Sequence, residues 1–336
     1  MKLTRRSTAH TAEEETAIQT HDAGESSNGR EAAIAEPSNA ATPAAESGIA
    51  AVQAATVVAR PRSRRLARPA DDCERDGLLK GKKALVFGVA NDHSIAWGIA
   101  KALYDQGADV GFSSMASLIK RRVRPLAASV GSTFVEGADV RDDDEIRKVF
   151  EHWHAKQGDL DILVHAVAYA EREDLDGHFT DISRAGFHTA FDISVYSLIA
   201  MAREARPYMK PGSSIMTMTY YAAEKVVPNY NVMGVAKAAL EATTRYLAAD
   251  LGPSGIRVNA ISAGPVRTLS AHGIAGFRTM YGGFKDVTPL RSHISIEDVG
   301  NTAVYLASPL SSQTTGEVIY VDGGFNILAL PVAGAE

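Results

Sequence analysis

Two residues of this sequence are placed to share one piece of chemistry: Tyr230 and Lys237, in the run Asn229-Tyr230-Asn231-Val232-Met233-Gly234-Val235-Ala236-Lys237. Seven positions on an α-helix are about two turns, so the phenol and the ammonium would lie on one face. A lysine beside a tyrosine favours the phenolate and lowers its pKa. Such a pair can donate a proton or a hydrogen bond to an oxygen that gains charge during a reaction. The spacing alone also fits one face of a half-buried helix. A rival pair, Tyr221 and Lys225, stands four positions apart. It would meet only on a helix, yet it directly follows a strand-like run, Ser213 to Thr219, and precedes Val226-Val227-Pro228. Proline disfavours a helical residue before it. The helix is therefore expected to begin near Tyr230 and to run through Ala238, Leu240 and Leu247 to Gly252.

The elements that must position this pair alternate along the chain. Lys83 to Phe87 reads as a short buried strand ended by Gly88. Ser94 is placed to cap the following helix, whose stripe is Ile95, Ile99, Ala102 and Leu103 and whose stop is Gly107. Strand, glycine, loop and helix form the unit that binds a dinucleotide pyrophosphate: the glycine admits the backbone, and the helix N-terminus offers N–H donors. The usual G-x-G-x-x-G is replaced by Gly88-Val89-Ala90-Asn91-Asp92-His93-Ser94-Ile95-Ala96-Trp97-Gly98. Further strands are expected at Asp109 to Ser113, Thr133 to Glu136 and Leu160 to Val167, and helices at Leu118 to Ala128, Asp142 to His154 and around Leu198 to Arg206. This order predicts one α/β domain, a Rossmann-type doubly wound parallel sheet with helices on both faces.

Asp139, just after the third strand, could accept a hydrogen bond from an adenine amino group or could be a surface turn residue. The end of the second strand carries Ser113, Ser114 and Met115, neither the acid that suits NAD ribose hydroxyls nor an Arg for the 2′-phosphate of NADP. The reading leans to NADH, with NADPH second. His165 lies on an expected buried strand and reads as a core histidine, while His152, His154, His188 and His293 lack metal-ligand spacing, so no metal is expected.

Taken together the motifs closely resemble the enoyl-acyl-carrier-protein reductases of type II fatty acid synthesis, divergent short-chain dehydrogenases marked by Tyr-x6-Lys. The resemblance runs from about Leu79 to Leu330 and rests on Ser94 to Gly98, Asn229 to Gly234, Arg257 to Thr268, Ile296 to Asn301 and Val321 to Gly324. It implies that Gly88, Ser94 and Ile95 hold the pyrophosphate side of NADH, Asp139 and Val140 the adenine, and Val167 the adenosine side. Lys237 would grip the nicotinamide ribose. Val266 and Thr268 would contact the carboxamide and phosphate, with Arg267, Leu269 and Ser270 in the same cofactor-contacting run. Tyr230 would hydrogen-bond the thioester oxygen, Tyr220 would assist, and Ala170 would touch the acyl group. The implied reaction delivers hydride to Cβ of a trans-2-enoyl thioester on acyl carrier protein, with the growing enolate charge stabilised by Tyr230. A homotetramer is implied as well. Ala166, Ala168, Thr219 and Tyr221 depart from residues often found in the family and bear on pocket shape. The competing functions are a carbonyl reductase of the wider superfamily, which would need a helical Tyr-x-x-x-Lys, and an inactive acyl- or nucleotide-binding relative.

Composition sets the frame. The chain has 336 residues, is 45% hydrophobic and 22% charged, and carries a net charge of −5, so nothing global points to nucleic acid or an anionic membrane. No apolar run is long enough to span a bilayer, and the single cysteine, Cys73, suits a reducing compartment, in keeping with a cytoplasmic enzyme. Residues 1–76 are rich in Ala, Glu, Ser and Thr, have no Phe, Tyr or Trp, and are expected to form a disordered extension before the domain at 77–336. Arg60, Arg62, Arg64, Arg65 and Arg68 read as a solvated basic linker, or as a weak contact for an acidic partner. Glu13, Glu14 and Glu15 and the lack of an apolar h-region argue against a cleaved targeting peptide. At the other end Glu317 to Gly324 reads as a buried last strand and turn. The apolar tail Phe325, Ile327, Leu328, Leu330 and Pro331 is then a candidate interface or folds back over the cleft.

Overall fold

The computed structural model describes residues 76–329. The expected extension, including its arginine cluster, lies outside them but for Asp76, and so do Leu330 and Pro331. Seven parallel strands form one sheet in the order β3-β2-β1-β4-β5-β6-β7. They are β1 Lys83–Phe87, β2 Asp109–Ser114, β3 Val135–Gly137, β4 Leu160–His165, β5 Met209–Thr219, β6 Arg257–Ala263 and β7 Val318–Val321. The helices between them are α1 Ile95–Asp105, α2 (Ala116–Leu118, a π-turn Ile119–Val123, then Arg124–Ser129) and α3 Asp143–Gln157. Next come α4 (Arg184–Phe191, a π-turn Asp192–Tyr196, then Ser197–Ala205), α5 Asn231–Leu251, α6 Phe277–Val287 and α7 Ile296–Ala307.

The strands read as nearly unbroken apolar runs because both faces of the sheet are covered. Alternation divides their side chains. Val86, Ile162, Val164 and Ile261 pack with Ile99, Leu103, Val299 and Leu306 of α1 and α7 on one face. Leu85, Phe87, Leu163, Ile215 and Val258 pack with Ile146, Phe150, Trp153, Leu198, Met201 and Leu240 of α3, α4 and α5 on the other. The last strand departs from expectation: β7 is half-buried along its whole length, since it is the sheet edge.

Two glycines from the sequence motifs are packing residues. A Cβ on Gly98 would lie 2.5 Å from Ile296, and one on Gly300 would lie 2.7 Å from the Gly98 carbonyl oxygen. They let α1 and α7 cross in near-backbone contact, which fixes α1 behind the first loop. Ser94 stands at the start of α1 but its hydroxyl does not cap the helix. It donates instead to the Asn91 carbonyl, 2.6 Å away, and so closes the loop that follows β1.

The sheet order reverses between β1 and β4, and in such sheets a crevice opens beyond the strand ends at that point. Gly88 follows β1 there with φ +97°, and a Cβ on it would meet the Ala166 carbonyl oxygen at 2.1 Å. Only glycine fits.

Candidate active site

A cleft of about 1000 Å³ lies over the switch point and the ends of β5 and β6. Its floor is made by one sequence of consequences. Pro228 blocks helix before it, and Asn229 turns the chain with φ +61°. Tyr230 then sits at the cap position of α5, and Lys237 follows two turns later on the face turned to the cleft. Lys237 is buried, and its ammonium donates to the Met218 carbonyl of β5 at 2.7 Å. Burial pulls its pKa down to about 8, with Glu241, one turn further along α5, pulling the other way.

Tyr230 and Tyr220 face each other edge-on, ring centroids 5.1 Å apart, and both line the cleft. The Tyr220 hydroxyl points to the Met280 sulfur of α6 at 3.7 Å. Burial pushes Tyr220 up to about 12. Burial, then the neighbouring Tyr220, hold Tyr230 above the usual phenol range. This reverses the expectation that Lys237 lowers the tyrosine pKa: desolvation dominates, and the ammonium is engaged with Met218. Tyr230 is therefore a neutral phenol, a hydrogen-bond and proton donor.

The rival pair stands one turn apart, the Lys225 N–H donating to the Tyr221 carbonyl at 3.1 Å, but its side chains lie outside the cleft. Tyr221 lies in a short 3-10 turn, Tyr221–Ala223, and its hydroxyl donates to the Asn326 carbonyl at 3.2 Å, while Lys225 is exposed. Tyr221 is not among the cleft-lining residues. His165 is fully buried between Thr217 and Ser197, 2.8 Å from each hydroxyl, and burial lowers its pKa to about 3, so it stays neutral.

Of the residues expected to hold the cofactor, Gly88, Ser94, Ile95, Val167, Val266, Thr268 and Leu269 line the same cleft as Tyr230 and Lys237, and so does Ala170. Thr268 accepts a hydrogen bond from the Ala271 N–H at 3.1 Å. Others stand apart. Asp139 is bound by Arg141, whose Nε reaches both carboxylate oxygens at 3.0 and 3.1 Å and holds the acid below the usual carboxylate range. Val140 is partly buried and packs against the core on the α3–α5 face of the sheet. Arg267 places its guanidinium 4.6 Å over the Tyr281 ring, which stacks in turn on His293 at 4.1 Å. Ser270 lies in the short turn Ser270–Gly273. Among the described residues no cluster of His, Cys, Asp or Glu is arranged for a metal ion.

Several contributors lack a signal in the sequence reading. The Met218 carbonyl is a backbone group and leaves no trace in residue type. Glu241 could have been found from its position four residues after Lys237: it is buried, accepts from the Thr219 hydroxyl at 2.7 Å, and burial raises its pKa. Met233, Phe277 and Met280 add apolar lining to the cleft. The cleft thus brings together a glycine-bordered crevice, a buried cation, two neutral phenols and an apolar lining. A nicotinamide dinucleotide fits this lining: Gly88 and the start of α1 border it, and Lys237 can face ribose hydroxyls.

Comparison with known proteins identifies relatives of the chain. Residues 88–326 match the family described as Enoyl-(Acyl carrier protein) reductase. The chain is 49% identical over 262 residues to Enoyl-[acyl-carrier-protein] reductase [NADH] 1 of Rhizobium meliloti, covering 78% of this chain and 96% of the relative. It is 46% identical over 261 residues to the Enoyl-[acyl-carrier-protein] reductase [NADH] of Haemophilus influenzae, covering 77% of this chain and all (100%) of that one. The crystal structure of the Aquifex aeolicus Enoyl-[acyl-carrier-protein] reductase (NADH) superposes with TM-score 0.74 at 49% identity, covering 76% of this chain and 100% of that chain. The reductase of Anaplasma phagocytophilum in complex with NAD gives 0.73 at 47%, covering 76% and 97%.

Proposed function

The chain belongs to the enoyl-(acyl-carrier-protein) reductase family, and we propose that it reduces the C2=C3 double bond of trans-2-enoyl thioesters carried on acyl carrier protein, using NADH. The observation that carries this reading is that Tyr230 and Lys237 of α5 both line the cleft, whereas Tyr221 and Lys225 do not, the Tyr221 hydroxyl being given to the Asn326 carbonyl. A carbonyl reductase of the wider superfamily would need the second pair.

Bound NADH supplies the hydride. Gly88, Ser94, Ile95 and Val167 flank one side of its site, and Val266, Thr268 and Leu269 the other. Asp139, Val140, Arg267 and Ser270 are kept as contacts at its margin, where the Asp139 carboxylate would have to share itself between Arg141 and the adenine. Lys237, fixed by the Met218 carbonyl, presents the remaining N–H bonds of its ammonium to the nicotinamide ribose. Tyr230 donates a hydrogen bond to the thioester oxygen, where negative charge grows as Cβ is reduced. A neutral phenol already in place costs little reorganisation at that moment, and such donors stabilise the developing oxyanion. Tyr220, edge-on to Tyr230, supports that orientation, and Ala170, Met233 and Met280 border the acyl chain. Protonation at Cα completes the saturation.

The same reading extends to assembly and location. The enzyme domain spans 77–336, and residues 1–76 take no part in the chemistry. The enzyme is a cytoplasmic homotetramer. Its outer α4 and α5 faces support pairing, with Tyr196 40%, Ile199 39% and Tyr246 81% exposed. Among the described residues no helix is long and apolar enough to cross a membrane. The test is NADH oxidation, followed by absorbance, with a crotonyl thioester beside a ketone. Thioester-dependent oxidation is expected, and turnover of the ketone alone would overturn the reading.

A further inference from the structure

Asn229 is one of two non-glycine residues with positive φ among the described residues, at +61°, and it immediately precedes Tyr230. Asparagine tolerates this region better than most residues, but it still marks a position the surroundings must hold. Its side chain is not idle. The Asn229 amide Nδ2 donates to the Ala275 carbonyl at 3.0 Å, across 46 residues of sequence. The next residue, Gly276, has φ +75°, and a Cβ there would lie 3.5 Å from the same Nδ2, so the amide packs on the backbone of that turn. Gly276 stands at the start of α6, and Phe277 and Met280 of α6 line the cleft opposite Tyr230. Met280 also receives the Tyr220 hydroxyl.

The two walls of the cleft are thereby joined at a residue adjacent to Tyr230. We propose that Asn229 is a positioning residue: its amide latches the 275–276 turn, and with it α6, to the backbone that sets Tyr230. This deepens the reductase reading and rests on it. The latch holds the apolar wall over the acyl chain while the phenol is aimed, so losing it should weaken thioester binding more than dinucleotide binding. The cofactor side of the cleft is built from Gly88 to Ile95 and Val266 to Leu269, which the amide does not touch.

Asn229→Gly separates the two features of this residue, because glycine adopts the same φ freely but has no amide. Asn229→Asp keeps the shape but offers only acceptors to the Ala275 carbonyl. The full chain is compared by hydrogen-exchange mass spectrometry over residues 273–280, with and without NAD⁺, and by separate KM and kcat values for crotonyl thioester and NADH. In Asn229→Gly, exchange of that segment and the thioester KM should each rise about five-fold, the scale of one lost neutral hydrogen bond. The NADH KM should stay within about two-fold of the parent. Asn229→Asp should match or exceed both effects. Unchanged exchange and unchanged thioester KM in Asn229→Gly would overturn the latch and leave Asn229 only a backbone role. If the parent protein lacks thioester reduction altogether, the functional reading falls, and the exchange data still decide the latch.

Discussion

Tyr220 and Tyr221 are neighbours at the end of β5, yet the fold treats them as different kinds of residue. Tyr220 meets Tyr230 edge-on in the cleft and touches Met280. Tyr221 turns to the C-terminal segment, where it lies edge-on to Tyr320 at 6.2 Å and Phe325 at 5.9 Å and donates to the Asn326 carbonyl. The cleft side holds phenols with raised pKa values and few polar partners. The C-terminal side is a satisfied clamp: Asp322 accepts from the Gly324 and Asn326 N–H groups, each 2.9 Å away, and Phe325 packs on Phe284 of α6. Phe325 thus folds onto its own subunit, while Ile327 remains 73% exposed. The two cleft phenols are left with few polar contacts, whereas the clamp around Asp322 and Asn326 is hydrogen-bonded.

The sharpest way to break this contrast is to remove single hydroxyls. Tyr230→Phe should lower turnover roughly 10²- to 10³-fold, the range for one oxyanion donor, and leave NADH binding nearly unchanged. Tyr220→Phe should cost less, since Tyr220 supports Tyr230 through ring contact that phenylalanine keeps. Steady-state kinetics and NADH titration check both. Turnover unaffected in Tyr230→Phe would move the donor role to Tyr220.

A second test uses pH. Lys237 titrates at about 8 in the free protein because burial disfavours its charge. Its cationic form predominates below that value and is lost above it, so kcat/KM, which reports the free enzyme, should fall on the alkaline side. The Glu241 carboxylate raises the Lys237 pKa. Replacing it, Glu241→Gln, should therefore move the alkaline limb to lower pH. Glu224, Arg245 and Thr219 also act on Glu241 and stay in place in that variant. In stability the sign is opposite. Between about 8 and the ordinary 10.5 the unfolded chain binds more protons at this lysine, so folding becomes more favourable as pH rises through that window. An alkaline limb that does not move in Glu241→Gln would assign it to another group.

Much of this was legible from residue order. The alternating apolar runs placed β1 and the start of β4 correctly, because a doubly covered sheet leaves long hydrophobic strands. Pro228 placed the start of α5 and so separated the two Tyr/Lys pairs. What sequence could not carry were effects decided by surroundings. A nearby lysine is visible in sequence, but the desolvation that outweighs it is not, and this reversed the direction for Tyr230. The Met218 carbonyl, the Asp139–Arg141 pair and the Arg267–Tyr281–His293 stack depend on where backbone and rings arrive in space. The edge position of β7 likewise follows from strand order, which a buried-looking run does not reveal.

The smallest expected effect belongs to the clamp, and it sharpens the contrast most. Tyr221→Phe keeps the ring contacts with Tyr320 and Phe325 and deletes only the hydroxyl that serves the Asn326 carbonyl. A single neutral hydrogen bond of this kind contributes about 1 kcal/mol, so urea denaturation should show a loss of that size with the slope unchanged. Asn326 has other ties, since its side-chain amide reaches both oxygens of Asp322 at 3.1 and 3.0 Å, and these should keep the turn in place. Turnover and thioester KM should then match the parent protein, although Tyr221 adjoins Tyr220 in sequence. A large loss of turnover with stability intact would mean that the two sides of the β5 end are coupled, and that the C-terminal clamp helps to set the catalytic phenols through Phe325, Phe284 and α6.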